Sequence, residues 1–270
     1  MPLEVTGAWV EFGGGLFGRA RKVALRGVTI ALPAERPHIL AVVGESGSGK
    51  TTLTRLLLGL QRPTRGRVTY AGRDIGDLHG GERLQYRRAV QAVFQDPFGA
   101  YNPVYRVDRS MLLPARVFGL ARTDAHAREL AERALRAVGL QPEETLGRYP
   151  HQLSGGQRQR LMVARAVMLR PRVLVADEPV SMVDASLRAS ILESLWRLRH
   201  EQGMSLVYVT HDLATAYQLA DEIIVMRNGV VVEAGDPVQV IHHPQAEYTR
   251  ALVAAVPPPD PTLDWGLVTA

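Results

Sequence analysis

The sequence predicts an α/β protein built on a buried parallel sheet, with a helical block set into it. Three observations predict this. Gly44-Glu45-Ser46-Gly47-Ser48-Gly49-Lys50-Thr51, followed by Thr52, fits the pattern G-x-x-x-x-G-K-[ST] and stands between an apolar run at 38–43 and a helical pattern over 53–60. Two more apolar runs, 173–176 and 206–210, pass directly into Asp177-Glu178 and His211-Asp212. Residues 107–169 show helical periodicity and no strand pattern, so they interrupt the α/β alternation.

In chain order, residues 3–5, 8–12 and 23–32 read as an early sheet, broken by the turn Gly13-Gly14-Gly15. The aromatics Trp9, Phe12 and Phe17 lie in this part; each suits a core position, and one of them could stack on a purine ring. The run 38–43 reads as a buried strand. After it, glycines at 44, 47 and 49 let the backbone turn sharply and bring N–H groups against an anion. The helix that follows adds free N–H donors and the positive end of its dipole, with apolar positions at 53, 56, 57 and 60. Lys50 stands out by composition: of 32 Lys and Arg residues only Lys22 and Lys50 are lysines. An arginine-biased chain keeps lysine where a slim point charge must fit between phosphates and a planar fork would not.

Residues 66–72 read as a short strand bounded by glycines, 84–88 as helix and 90–94 as extended chain. Gln95-Asp96-Pro97 stops regular structure, and a loop rich in Pro, Gly and Asn runs to Tyr105. Residues 125–138 form a helix ending at Gly139, and 145–151 a connection. A long helix over 153–169 opens on Ser154-Gly155-Gly156, with Ser154 as N-cap and Leu161, Ala164, Val167 and Met168 on one face. Then come a strand at 173–176, an amphipathic helix at 185–202, a strand at 206–210 and a helix at 213–219. Residues 222–226 and 230–233 form a hairpin around Arg227-Asn228-Gly229. The segment 257–261 is proline-rich and expected to be extended.

Composition narrows the chemistry. With no cysteine there are no disulfides, thiolate nucleophiles or cysteine metal sites. Met1-Pro2-Leu3-Glu4 does not start a secretory signal, and no run approaches 18 apolar residues, so work at a membrane would need other chains. The net charge is +5, but the arginines are scattered and not interleaved with aromatics. A solvated arginine-rich surface is expected, not a nucleic-acid partner.

In parallel α/β sheets, ligands sit beyond the carboxyl ends of the strands. Three strands here end in chemistry: the phosphate loop, Asp177-Glu178 and His211. Asp177 suits a Mg²⁺ partner, directly or through water, and Glu178 could polarise an attacking water. His211 could touch a γ-phosphate or orient that water; read alone, it also suits a cap on the next helix.

At this point the chain resembles the nucleotide-binding subunits of ABC transporters. Leu153-Ser154-Gly155-Gly156-Gln157 matches the family's LSGGQ signature, and Gln95 sits where the family has its Q-loop glutamine. Residues 173–178 match Walker B with the catalytic glutamate; Asp184, in Ser181-Met182-Val183-Asp184, matches the D-loop, and His211 the switch histidine. The resemblance implies a P-loop NTPase of ABC type: a RecA-like parallel core with an N-terminal antiparallel β subdomain (1–95 and 170–235), an inserted helical subdomain (about 96–169) and a C-terminal extension (236–270).

It further implies ATP and Mg²⁺ as ligands, held between two head-to-tail cassettes. Glu45, Ser46, Ser48, Thr52 and the loop glycines would line the phosphates with Lys50. Thr51 and Gln95 would help hold Mg²⁺, with Asp177 behind them; Glu178 would be the base and His211 the γ-phosphate sensor. Ser154, Gly155, Gly156 and Gln157, with Asp184, would act across the pair. Phe12 would stack on adenine, with Phe17 or Trp9 as rivals. The implied partners are a second ATPase, identical or not, two membrane permeases met by the helical block, and indirectly a substrate-binding protein, which puts the chain on the cytoplasmic face of the membrane.

Gln95-Asp96-Pro97-Phe98-Gly99-Ala100-Tyr101-Asn102-Pro103 and the segment from His243 through Tyr248-Thr249-Arg250-Ala251-Leu252 to Val256-Pro257 are similar to the peptide/nickel importer group, which also serves some oligosaccharides. The chain departs from the pattern at Met182-Val183, where Ala-Leu is usual, at 34–38, which replace Gly-Glu, and at Tyr101, where Leu is common. A soluble ABC-type ATPase and a non-hydrolytic regulatory cassette are the other readings. The first usually has two cassettes or a long coiled coil, which this chain lacks; intact Glu178 and His211 weigh against the second.

Overall fold

The computed structural model describes residues 3–13, 21–33, 36–180 and 185–255. Phe17, Asp184 and the proline-rich segment from 257 fall outside them. The strands and helices in chain order are β1 (Leu3–Phe12), β2 (Lys22–Leu32), β3 (Ile39–Val43), α1 (Lys50–Leu57), β4 (Arg65–Tyr70), β5 (Arg73–Asp74), α2 (Gly80–Ala89), β6 (Val90–Val93), α3 (Val107–Val117), α4 (Asp124–Ala137), α5 (Pro142–Thr145), α6 (Gly155–Met168), β7 (Val173–Asp177), α7 (Ala185–Gln202), β8 (Ser205–Thr210), α8 (Leu213–Leu219), β9 (Glu222–Arg227), β10 (Val230–Gly235), α9 (Pro237–His242) and α10 (Glu247–Ala254). The described residues fall into two compact units, 3–78 with 206–255, and His79–Ser205. Among them, no helix is long and apolar enough to cross a membrane.

The first unit holds an antiparallel sheet in the order β2-β1-β4-β5. β1 runs unbroken through the expected gap at residues 6 and 7, because Gly7 takes φ 55° and absorbs a bulge in the pairing with β2 and β4. The same unit holds β10-β9-β3-β8, in which β3 pairs in parallel with both β8 and β9. Every residue of β3 and β8 is buried, which is why both read as unbroken apolar runs. The β9–β10 hairpin turns at Asn228 and Gly229, with φ 48° and 80°, as the Asn-Gly signal requires.

One expectation shifts here. The helix after the loop begins at Lys50 and ends at Leu57; Leu60 lies past its end and is 62% exposed, so it is not part of the apolar face. The segment after β10 folds into α9 and α10. Asp236 caps α9 through the Val238 N–H, and Pro237 occupies its first turn. Glu233 of β10 anchors the start of α10, accepting the N–H groups of Gln245 (2.8 Å) and Ala246 (3.0 Å). Burial would raise the Glu233 pKa, but these N–H bonds and the Arg250 charge outweigh it and hold the carboxyl below its ordinary value. The anchoring is therefore complete above the unfolded glutamate pKa and lost as pH falls through the lowered folded value. Glu233→Gln, which cannot serve both N–H groups as acceptor equally, is expected to cost about 1 kcal/mol of stability at neutral pH. Denaturant melts of the two chains check this, and their difference should fade as pH falls from the ordinary glutamate range through the lowered folded value.

The second unit holds the parallel pair β6–β7 and the helical block. α4 is capped by the Thr123 hydroxyl, which accepts the His126 N–H, and buries Ala127, Ala131, Ala134 and Leu135 on one face. Small residues at that spacing let α4 approach α6 closely. α6 buries Leu161, Ala164, Val167 and Met168, the four positions its periodicity predicts. α2 spans Gly80–Ala89, longer than the expected 84–88.

Candidate functional site

In the first unit, the phosphate loop and His211 leave neighbouring strands at the same end. β3 and β8 are parallel and in register up to Val43 opposite Thr210, so Gly44 and His211 are the next residues of adjacent strands. The loop is shaped by contacts behind it. A Cβ on Gly44 would lie 2.3 Å from the Met226 carbonyl oxygen, and one on Gly49 2.8 Å from that of Ala24. Both positions also have positive φ, 149° and 110°, so only glycine fits. The turn after β9 closes the back: Gly229 N–H donates to the Ser48 carbonyl at 2.8 Å, and Arg26 N–H to the Gly229 carbonyl at 2.8 Å.

Lys50 is 6% exposed, and its Nζ donates to the carbonyls of Gly44 (2.6 Å) and Glu45 (2.9 Å). The loop thus curls around its own ammonium. Gly49 caps α1 without any side-chain bond, leaving the first-turn N–H groups to another acceptor. The buried Ser48 hydroxyl has no hydrogen-bond partner. A cradle with no room for Cβ atoms, an uncapped helix start, a buried cation and an orphaned hydroxyl fit a polyphosphate. Thr51 is exposed beside Lys50 and Thr52 is half-buried.

His211 is exposed, and its neighbours fix its place: Thr210 Oγ1 accepts the Asp212 N–H at 3.0 Å, and Asp212 Oδ1 accepts from Ala214 and Thr215. The cap of α8 is therefore Asp212, not His211. Phe12 ends β1 and is 43% exposed; Trp9 of the same strand lies under the Arg65 guanidinium at 5.9 Å. Glu45, at the loop's start, donates its N–H to the Tyr248 hydroxyl oxygen of α10 at 3.1 Å. Nothing in the sequence signals this contact, because 203 residues separate the partners.

The second unit repeats the device. β6 and β7 are parallel and in register up to Val93 opposite Ala176, so Phe94-Gln95 and Asp177-Glu178 emerge side by side. Gln95 Nε2 donates to Glu178 Oε2 at 3.0 Å. Asp177 closes β7 and is buried, while Glu178 takes φ 47°, a left-handed conformation that a side chain resists. α6 braces the same corner: Phe94 N–H points to Met162 Sδ at 3.1 Å, and Gln159 Nε2 donates to the Phe94 carbonyl at 3.4 Å. Sequence reasoning missed Gln159 and Met162, which read only as helix positions.

The start of α6 forms a reciprocal box. Ser154 Oγ accepts the Gln157 N–H at 3.2 Å, and Gln157 Oε1 accepts the Ser154 N–H at 2.8 Å. Gln157 therefore serves the helix start, and the box leaves the N–H groups of Gly155 and Gly156 as its donors. Phe98 lies 3.8 Å from where a Gly155 Cβ would stand, with the Arg158 guanidinium 4.2 Å over its ring. Among the described residues no cluster of three His, Asp or Glu side chains is arranged for a metal. Within the first unit Thr51, and within the second Gln95 and Asp177, each carry a hard oxygen of the kind Mg²⁺ takes.

Residues 27–181 match the family described as ABC transporter. The chain is 40% identical over 262 residues to the glutathione import ATP-binding protein GsiA of Salmonella typhimurium, covering 96% of this chain but only 42% of that relative's length. It is 39% identical to the oligopeptide transport ATP-binding protein OppF of Salmonella typhimurium, over 89% of this chain and 71% of the relative. It is 42% identical to the di/tripeptide transport ATP-binding protein DppF of Pseudomonas aeruginosa, over 93% and 78%. Among solved structures, the bacterial ABC transporter cassette MJ0796, solved as a dimer, superposes with a TM-score of 0.77 at 28% identity, over 87% of this chain and 98% of that one.

Proposed function

The chain belongs to the ABC transporter family, and from that premise we propose that it binds and hydrolyses ATP as the motor subunit of an importer for peptides. The observation that carries the reading is the start of α6. A phosphate loop alone binds nucleotide within one chain, whereas a serine-boxed helix start with two adjacent glycine N–H groups is a second phosphate-binding surface. Two such cassettes arranged head to tail bring each chain's helix start to the other's phosphate loop, so ATP holds the pair together and hydrolysis releases it. The peptide cargo is inferred from relatives named for oligopeptide, di/tripeptide and glutathione import.

Residue roles follow from chemistry. Lys50 and the loop N–H groups bind the β- and γ-phosphates, and the helix dipole of α1 favours their charge. Mg²⁺, when bound, neutralises charge building on the phosphate oxygens; Thr51, Gln95 and Asp177 are the residues to hold it. Glu178 accepts the proton of the attacking water, and Gln95, hydrogen-bonded to it, orients its carboxylate. His211 contacts the γ-phosphate and reports its loss. Phe12 stacks on adenine, its exposure leaving a ring face free. The partners are a second ATPase of the same kind, two membrane permeases and, through them, a substrate-binding protein, with this chain bound at the cytoplasmic face.

The test is co-expression with neighbouring permease, ATPase and binding-protein chains. The assembly should co-purify, and its ATP hydrolysis should rise when the binding protein carries peptide. Stable isolation without permeases, with hydrolysis indifferent to the binding protein, would remove the transport reading.

A further inference from the structure

We propose that Tyr248 is a positioning residue for the phosphate loop, through which the C-terminal helix α10 sets nucleotide affinity. This rests on the nucleotide-binding reading above. The Tyr248 oxygen accepts the Glu45 N–H at 3.1 Å. That N–H and the Gly44 carbonyl belong to one planar peptide unit. The other edge of the unit, the Gly44 carbonyl, accepts the Lys50 ammonium at 2.6 Å, and the next carbonyl, Glu45, accepts it at 2.9 Å. One hydroxyl therefore fixes the plane from which the lysine is suspended. Hydrogen bonds at both edges of an amide also strengthen one another.

Tyr248 is itself held on several sides. It is 8% exposed, and the Arg227 guanidinium lies 4.7 Å over its ring. The start of its helix is tied to β10 by the two N–H bonds to Glu233. Thr249, next along α10, is fully buried. Glycines 44 and 47 give the loop little torsional stiffness of its own, so an external contact must choose the orientation of the Gly44–Glu45 peptide. Without it, the loop samples orientations that carry Lys50 away from the phosphates, and binding must pay for ordering it.

Tyr248→Phe removes the hydroxyl and keeps the ring. In the full chain, titrated with a fluorescent ATP analogue, it should bind about three- to tenfold more weakly, the scale of one lost hydrogen bond. In the assembled transporter, KM for ATP should rise by the same factor while kcat stays within about twofold. Hydrogen exchange reads the contact directly: the Glu45 amide should be protected in the unmutated chain and exchange faster in the variant. A merely structural role would lower the melting temperature and leave affinity unchanged. Equal affinity in two chains that both bind overturns this inference alone, as does an unprotected Glu45 amide in the unmutated chain. If the unmutated chain binds no nucleotide, the reading beneath it fails too.

Discussion

Glu178→Gln is expected to bind ATP as the unmutated chain does, to lose about 10²–10⁴-fold in turnover and to accumulate as an ATP-bound dimer. The substitution keeps size and one acceptor oxygen, and removes the negative charge and the ability to take a proton. Gln95 meets Glu178 at 3.0 Å, and an amide can accept the same Gln95 N–H through its oxygen, so the local fold should survive. On the proposed roles, binding rests on Lys50 and the loop, which the substitution leaves intact, and the closed pair should persist because its glue is no longer consumed. Single-turnover hydrolysis with radiolabelled ATP measures the rate, and gel filtration with and without ATP measures the dimer. Near-normal hydrolysis would take the role of base away from Glu178.

Lys50→Ala is expected to weaken nucleotide binding by about 10²-fold or more. A charge-assisted bond to a phosphate contributes roughly 1.5–3 kcal/mol, and Lys50 is proposed to meet two phosphates. The apo chain changes as well, since two carbonyls lose their donor. Melting curves must accompany the titration, so that affinity is read on folded protein. Lys50→Arg separates charge from shape: it keeps the cation, but its planar fork is a poor match for a pocket that encloses the ammonium at 6% exposure. Unchanged affinity in the alanine variant would contradict the role given to this residue.

The sheet strands and the phosphate loop were legible because their signals are local. β3, β7 and β8 are short apolar runs with polar residues at their ends, and α6 begins where a serine stands before two glycines. The pairing of each strand end with its neighbour was legible only as a rule about parallel sheets; the registers Val43 to Thr210 and Val93 to Ala176 give it substance. His211 read as a possible cap because it directly precedes a helical pattern, yet the shorter Asp212 side chain reaches the helix N–H groups. α9 and α10 escaped a sequence reading because they are short and α10 is held from outside, by a carboxylate on β10. Asp236-Pro237 was nonetheless a usable start signal for α9. The contact of Tyr248 with Glu45 carries no local signature at all.

The backbone at residue 178 sits at φ 47°, where a Cβ costs on the order of 1 kcal/mol and only glycine escapes that steric cost. Removing the carboxylate while keeping a Cβ leaves that cost in place, and glycine would trade it for a lost bond to Gln95 and a more flexible unfolded chain. A screen that ranks variants only by heat resistance would therefore gain little at this position, strained though its backbone is.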